Sequence, residues 1–221
     1  TNNNNMYGEQ YNGSFNRSTN GGGTWAGYTT GLTGTANWVT PWIQDPTNAV
    51  YLWAGYTQVF RRNTTTGNWV QMGTLTGSGT IIDIDVAPSN GAVVYAARSN
   101  QIWKSVNTGG TWTNMTGTLP VGSAAISRVT IDPADANNVW VTFSGYSGGN
   151  KVFVTTNGGT TWTNISAGLP NIPANCIVYT PGSTNDAIYV GMDVGVYYRD
   201  NTTGAWAPYF TGLPNVPIFD L

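Results

Sequence analysis

Apolar and polar residues alternate along this chain in short runs rich in β-branched and aromatic side chains, and the runs arrive in a fixed order. After a loop such as AGLP or GTLP comes a first run (WVTPWIQDP, TIIDIDVAP, AISRVTIDP, ANCIVYTP), then a second (AVYLWAG, AVVYAAR, NVWVTFS, AIYVGMD) and a third (QVFRRN, QIWKSVN, KVFVTTN, GVYYRDN). A polar turn follows, and a fourth run leaves it (NWVQMGT, TWTNMTG, TWTNISA, AWAPYFT). Alternation with a period of two predicts short strands, four to a set, and no stretch carries a helical period.

The polar turn is itself a repeat. SVNTGGTW (105–112), TTNGGTTW (155–162) and STNGGGTW (18–25) are close copies, while RNTTTGNW (62–69) and RDNTTGAW (199–206) are worn ones. Their closing tryptophans, Trp25, Trp69, Trp112, Trp162 and Trp206, stand 44, 43, 50 and 44 residues apart. A period in the forties built from four short antiparallel strands predicts an all-β fold of β-propeller blades, with residues 1–221 forming one propeller domain or propeller segment. The chain opens on the second, third and fourth strands of a blade (NMYGEQ, GSFNRS, TWAGYTT) and ends on PIFDL, a first strand. Either that last strand closes the first blade into a five-bladed ring, or the chain is an arc of a larger propeller. The strong strand pattern at both ends favours the arc.

Each octet position has a mechanical use in such a turn. Asn20, Asn107 and Asn157 accept from backbone N–H groups, as Asx turns do, and Ser18, Ser105 and Thr155 add a hydroxyl. Gly22, Gly109, Gly110 and Gly159 admit positive φ. The closing tryptophan is large enough to pin the turn onto its blade, so five such pins in one order predict scaffolding rather than chemistry.

Composition narrows the function. Eight Lys and Arg stand against ten Asp and Glu with no charge run, which leaves no electrostatic footprint for nucleic acid or an anionic membrane. No stretch approaches the roughly 18 apolar residues of a spanning helix, so no direct membrane insertion is expected. The opening residues TNNNNMYGEQ lack an initiator Met, a basic start and an apolar h-region, as in a processed protein or a piece of a longer one. His is absent and Cys176 is alone. That leaves no expected metal site, disulfide framework or Ser/His or Cys/His nucleophile, and no cofactor is expected. Within NCIVY, Cys176 reads as a small packing residue.

The pattern S/T-x-D/N-x-G-x-T-W resembles the Asp-box, or bacterial neuraminidase repeat, and the resemblance covers essentially the whole chain. Three copies match well; the two worn ones depart at the first position, with Arg62 and Arg199. The resemblance implies a propeller of the superfamily that holds sialidases, xyloglucanase-type glycosidases and the sortilin ectodomain, whose boxes lie at the blade periphery away from any active site. YGEQYNGSFNRSTNGG, VTFSGYSGGNKVFVTTNGGTTW and DAIYVGMDVGVYYRDN are further similar to propeller segments of secreted surface proteins of Bacteroidetes-type bacteria. Such proteins often end in a sorting domain for type IX secretion. By that likeness the chain is expected outside the cell or on the bacterial outer surface, beside other domains of the same or a larger surface protein.

Candidate chemistry is sparse. A sialidase would need an arginine triad, a Tyr and Glu pair and an F/Y-R-I-P motif, but the motif is missing and Glu9 is the only Glu. Arg17, Arg61, Arg62, Arg98, Arg128 and Arg199 fall mostly on third strands beside the octets, where solvated or turn-packing roles are expected. A glycosidase of the xyloglucanase kind needs two carboxylates across a cleft. Asp45, Asp85 and Asp132 sit at comparable ends of first strands and read as turn caps; Asp83 and Asp220 lie on first strands, Asp193 at a hairpin, and no pair is marked by spacing. No catalytic residue is assigned. Trp38, Trp42, Trp53 and Tyr56 crowd one blade, with Tyr7 and Tyr11 flanking Glu9, and such rings could stack on sugar faces. The expected function is a non-catalytic binding or scaffolding module, with glycan as a candidate ligand. The alternative is a secreted glycosidase using paired Asp carboxylates.

Overall fold

Every set of runs folds into one antiparallel sheet whose strands pair in sequence order. The computed structural model describes residues 4–180, 182–183, 185–209 and 211–221; Pro181 and Phe210, which belong to the runs ANCIVYTP and AWAPYFT, lie outside them. The first blade holds β1 (Met6–Glu9), β2 (Phe15–Ser18) and β3 (Ala26–Gly27). The second holds β4 (Trp42–Gln44), β5 (Tyr51–Gly55), β6 (Val59–Asn63) and β7 (Trp69–Gln71). The third holds β8 (Asp83–Val86), β9 (Val94–Arg98), β10 (Gln101–Ser105) and β11 (Thr113–Asn114). The fourth holds β12 (Ala125–Ile131), β13 (Val139–Ser144), β14 (Val152–Thr155) and β15 (Thr163–Asn164). The fifth holds β16 (Ala174–Tyr179), β17 (Ile188–Met192), β18 (Val196–Arg199) and β19 (Ala207–Pro208). Among the described residues there is no helix, and the first blade is a sheet of three strands where the others have four.

The PIFDL segment does not pair with β1. Ile218 N–H donates to the Met192 carbonyl at 2.9 Å, as Ile81 N–H donates to the Tyr56 carbonyl at 2.7 Å. The segment thus lies along the fifth blade in the place where the approach to β8 lies along the second.

The hydrophobic core sits between blades. Four buried clusters fill the four joints: Phe15 and Tyr28 meet Leu52, Phe60 and Trp69; Trp53 and Val59 meet Ile84, Val94 and Trp103. Tyr95 and Ile102 meet Val139, Val141 and Phe153, and Trp140 and Val152 meet Ile188, Val190 and Trp206. Each inner sheet has a neighbour on both faces, which is why β9 and β13 are buried almost throughout. Every large side chain so enclosed contributes about 1.5 to 3 kcal/mol from area removed from water.

With β1, β2 and β3 taking the places of second, third and fourth strands in their blade, all five octets join a third strand to a fourth. In the three close copies the turn is closed by the same bonds. Ser18, Ser105 and Thr155 hydroxyls donate to the Asn20, Asn107 and Asn157 side-chain oxygens at 2.9 Å each. They accept from Gly22, Gly109 and Gly159 N–H at 2.9, 2.8 and 2.9 Å. The same Asn oxygens accept from Thr24, Thr111 and Thr161 N–H at 2.9 Å. Positive φ falls at the fourth and fifth octet positions, Gly21 and Gly22, Thr108 and Gly109, Gly158 and Gly159. The sixth position is free of it, so Gly110 does not meet the conformational need read for it from sequence.

The tryptophans reach beyond their own turns. Trp69, Trp112, Trp162 and Trp206 indole N–H groups donate to the carbonyls of Tyr28, Met72, Met115 and Ile165 at 2.7, 2.7, 2.8 and 2.6 Å. Each acceptor lies three residues past the octet tryptophan of the preceding blade, so one bond repeats at every joint. Trp25 differs: it donates to Gly22 O of its own turn at 3.1 Å and is 47% exposed. Gly31 marks how closely the chain approaches Trp69, since at φ 100° a Cβ there would lie 2.1 Å from the Trp69 carbonyl oxygen.

Candidate functional site

Strand direction alternates within a blade, so the octets and the first-to-second turns fall at one end of the molecule. The second-to-third turns and the blade-to-blade connections fall at the other. Tyr11, in the β1–β2 turn, and Trp38, in the β3–β4 connection, share that second end. Their rings stack with centroids 5.2 Å apart and 15° between planes. Tyr11 is 51% exposed, Trp38 70% and the adjoining Val39 75%.

A polar framework underneath holds these loops in place. Glu9 accepts from Gly13 N–H at 2.8 Å, from Thr40 N–H at 3.1 Å and from the Thr40 hydroxyl at 2.5 Å. Asn12 N–H donates to the Trp38 carbonyl at 3.0 Å, which ties the two loops directly. The Tyr56 hydroxyl donates to Gly13 O at 2.6 Å. Burial, with Glu9 adding to it, pushes the Tyr56 phenol up to about 12, so it stays a donor at neutral pH. Gly13 sits at φ 77° with Tyr56 so close that a Cβ would fall 2.0 Å from the phenol oxygen. The Asn37 amide donates to Ile81 O at 2.7 Å and bolts the Trp38 loop to the third blade.

The other aromatics named from sequence do not join this exposed pair. Trp53 and Tyr56 are buried at 0% and 5% exposure. Trp42 is half-buried and packs edge-on against Phe15. Tyr7 packs against Tyr28 at 5.5 Å, with the Arg17 guanidinium over both rings.

The carboxylates are engaged in the fold. Asp45 accepts from Thr47 and Asn48 N–H groups, and Asp132 from Ala134 N–H, so both cap turns. Asp85 does not cap, contrary to the sequence expectation. It bonds Ile131 N–H across the joint at 2.9 Å, beside Asp83, which bonds Val129 N–H at 2.6 Å. Burial pushes Asp83 up to about 6 and Asp85 to about 7. Arg128 lies 3.6 Å from Asp83 and 3.6 Å from Asp220. The Tyr198 hydroxyl, bonded to Asp200, holds that carboxyl well below the usual range, and Asp200 caps its own turn through Thr202 and Thr203 N–H. Among the described residues no three His, Cys, Asp or Glu side chains gather to hold a metal ion.

The arginines, expected to be solvated or to pack on turns, are mostly clamps. Arg98, 1% exposed, donates to Thr76 O at 2.7 Å and Thr57 O at 2.9 Å. Arg62 and Arg199 donate to Tyr28 O at 3.3 Å and Ile165 O at 3.1 Å, the carbonyls that Trp69 and Trp206 also use.

Neither a protein-family model nor a curated protein sequence matches the chain. Solved structures do. The GH74 enzyme of Niastella koreensis superposes at a TM-score of 0.74 and 21% identity, over 97% of this chain and 36% of that one. The GH74 xyloglucanase of Xanthomonas campestris gives 0.71 and 17%, over 96% and 36%. The extracellular domain of a one-component system from B. thetaiotaomicron gives 0.65 and 17%, over 99% and 29%. The chain thus spans about a third of the length of these structures, and at such identities the likeness establishes the β-propeller fold alone.

Proposed function

We propose that this chain is a non-catalytic extracellular propeller module that binds glycan at its loop end, with Tyr11 and Trp38 as the contact platform. The observation that carries this reading is the exposed stack, buttressed by Glu9, Thr40 and Tyr56. Flat rings held in water by a fixed framework suit the apolar face of a sugar ring. The octets, at the opposite end, serve as Asp-box turns that lock blade to blade. Engagement of Glu9, Asp45, Asp83, Asp85, Asp132 and Asp200 in the fold supports the absence of catalysis. The likeness to an extracellular domain supports a location outside the cell.

Titration of plant and host glycans against the protein, followed by tryptophan fluorescence, tests the platform. Trp38→Ala is expected to weaken the bound glycan by about tenfold or more at an unchanged melting temperature. A panel with no ligand, or binding indifferent to both Trp38→Ala and Tyr11→Ala, overturns the reading. One observation favours the glycosidase alternative: Asp83 and Asp220 flank Arg128, and burial raises the Asp83 pKa. Turnover of xyloglucan, lost in Asp83→Asn without loss of folding, would establish it.

A further inference from the structure

Successive blades meet by one recipe. The outgoing face of a blade presents a cross-strand pair from its second and third strands and the residue three places past its octet tryptophan. These are Trp53, Arg61 and Met72 in the second blade, and Trp140, Val154 and Ile165 in the fourth. The incoming blade covers them with its own octet tryptophan, whose indole bonds the third residue's carbonyl. Trp53 and Trp140 are consequently 0% and 5% exposed.

In the fifth blade the same three positions are Tyr189, Tyr198 and Tyr209. The rings pack on one another with centroids 5.2, 5.2 and 6.1 Å apart. Here Tyr209 is 59% exposed and the other two partly so. Beside them residues 217–221 already run where an incoming first strand begins, with Ile218 bonded to Met192 and Phe219 69% exposed. The opposite end face is unlike this one. Where the inner blades carry Ala54 with Phe60 or Ala96 with Trp103, the first blade has Gly8 with Asn16, beside the exposed Met6 and Trp25.

We propose that the Tyr189, Tyr198 and Tyr209 face docks one further four-stranded blade of this same kind, with residues 217–221 as its first strand and its octet indole donating to the Tyr209 carbonyl. The internal joints supply the template, since the face repeats their positions and the strand that opens a joint is already seated. Gly8 and Asn16, standing where an incoming blade carries Ala with Phe or Trp, leave less side chain to cover the tyrosines and make a second copy of this chain the poorer occupant.

The test is a longer chain in which residues 178–213 follow Leu221 a second time, which places Leu221 in register with Ile177. Amide exchange across 207–209 and 217–221 is expected to slow at least about tenfold relative to the original chain. Trp206→Ala in the added copy alone is expected to reverse it. A second extension, residues 85–119 of the third blade, guards against a poorly matched first one. Unchanged exchange in both extensions overturns the proposal. So does concentration-dependent self-association of the original chain that protects 207–221, because a second copy is then the occupant.

Discussion

The close octets and the worn ones do the same job by different chemistry. In 105–112 and 155–162 the first residue is a hydroxyl that ties the turn to itself, and a half-buried tryptophan makes one bond to the preceding blade. In 62–69 and 199–206 the first residue is an arginine that leaves the turn and joins the tryptophan on the same carbonyl of the preceding blade. Turn closure then falls to the second residue: Asn63 accepts from Thr65 N–H at 2.9 Å, and Asp200 from Thr202 N–H at 2.8 Å. The worn tryptophans are also the deeper ones, at 2% for Trp69 and 5% for Trp206. The worn octets thus place at the interface the donor that the close ones keep in the turn.

The comparison breaks first, and most visibly, at the tryptophans. Trp206→Ala is expected to cost about 3 to 5 kcal/mol, since it opens a buried cavity and leaves Arg199 as the remaining donor on that carbonyl. Trp162→Ala removes a half-buried ring and is expected to cost about half as much. Denaturant unfolding of both variants measures the difference; equal losses would show that the two kinds of octet load their joints alike.

A pH series sharpens the contrast next, because the joint between the third and fourth blades holds Asp83 and Asp85 while the worn joints rely on arginine. Burial raises the folded pKa of these Asp groups to about 6 and about 7, above the ordinary value of 3.8. The folded state then binds more protons than the unfolded chain, so stability from this pair is greatest near pH 4 and falls as pH rises to about 7. The fall is expected to be at least about 3 kcal/mol, and the Asp83→Asn, Asp85→Asn double variant is expected to lose most of it. A wild-type curve flat over that range, or an unchanged slope in the variant, would remove these carboxylates from the account.

The smallest effect separates turn from joint. Arg62→Ala and Ser105→Ala are each expected to cost about 1 to 1.5 kcal/mol. Arg62 shares its acceptor with Trp69, so a double-mutant cycle with Trp69→Phe is expected to show coupling of at least about 0.5 kcal/mol. Ser105 with Trp112→Phe should add nearly independently. Coupling in the second pair but not the first would reverse the assignment.

Much of the architecture can be read from the chain because the octets punctuate it and the runs between them are short and alternating. Individual roles are harder to read, for a physical reason: with a blade on either side, both faces of an inner strand are covered, so period two no longer separates core from surface. Trp38, Trp42 and Trp53 all fall in strand runs, and it is the structure that leaves Trp38 in the connection by starting β4 at Trp42. Asp85 sits near the end of a first strand as Asp45 and Asp132 do, yet those two precede a proline, and in the third blade that place is Ala87 before Pro88. Alignment on the proline separates the turn caps from the joint carboxylate. No local signal marks Arg98 as buried, because its acceptors, Thr57 and Thr76, belong to loops 41 and 22 residues away.

A core that lies between blades makes this molecule nearly one-dimensional in its energetics. No blade owns its interior, so adding or losing one changes the count of interfaces by a single unit and leaves the rest intact. Each interface joins segments less than two repeats apart in sequence, so closure of any loop during folding is short and ordering can start at any of the four and spread outward. Length in this architecture is thus an adjustable quantity, and stability grows with it in steps.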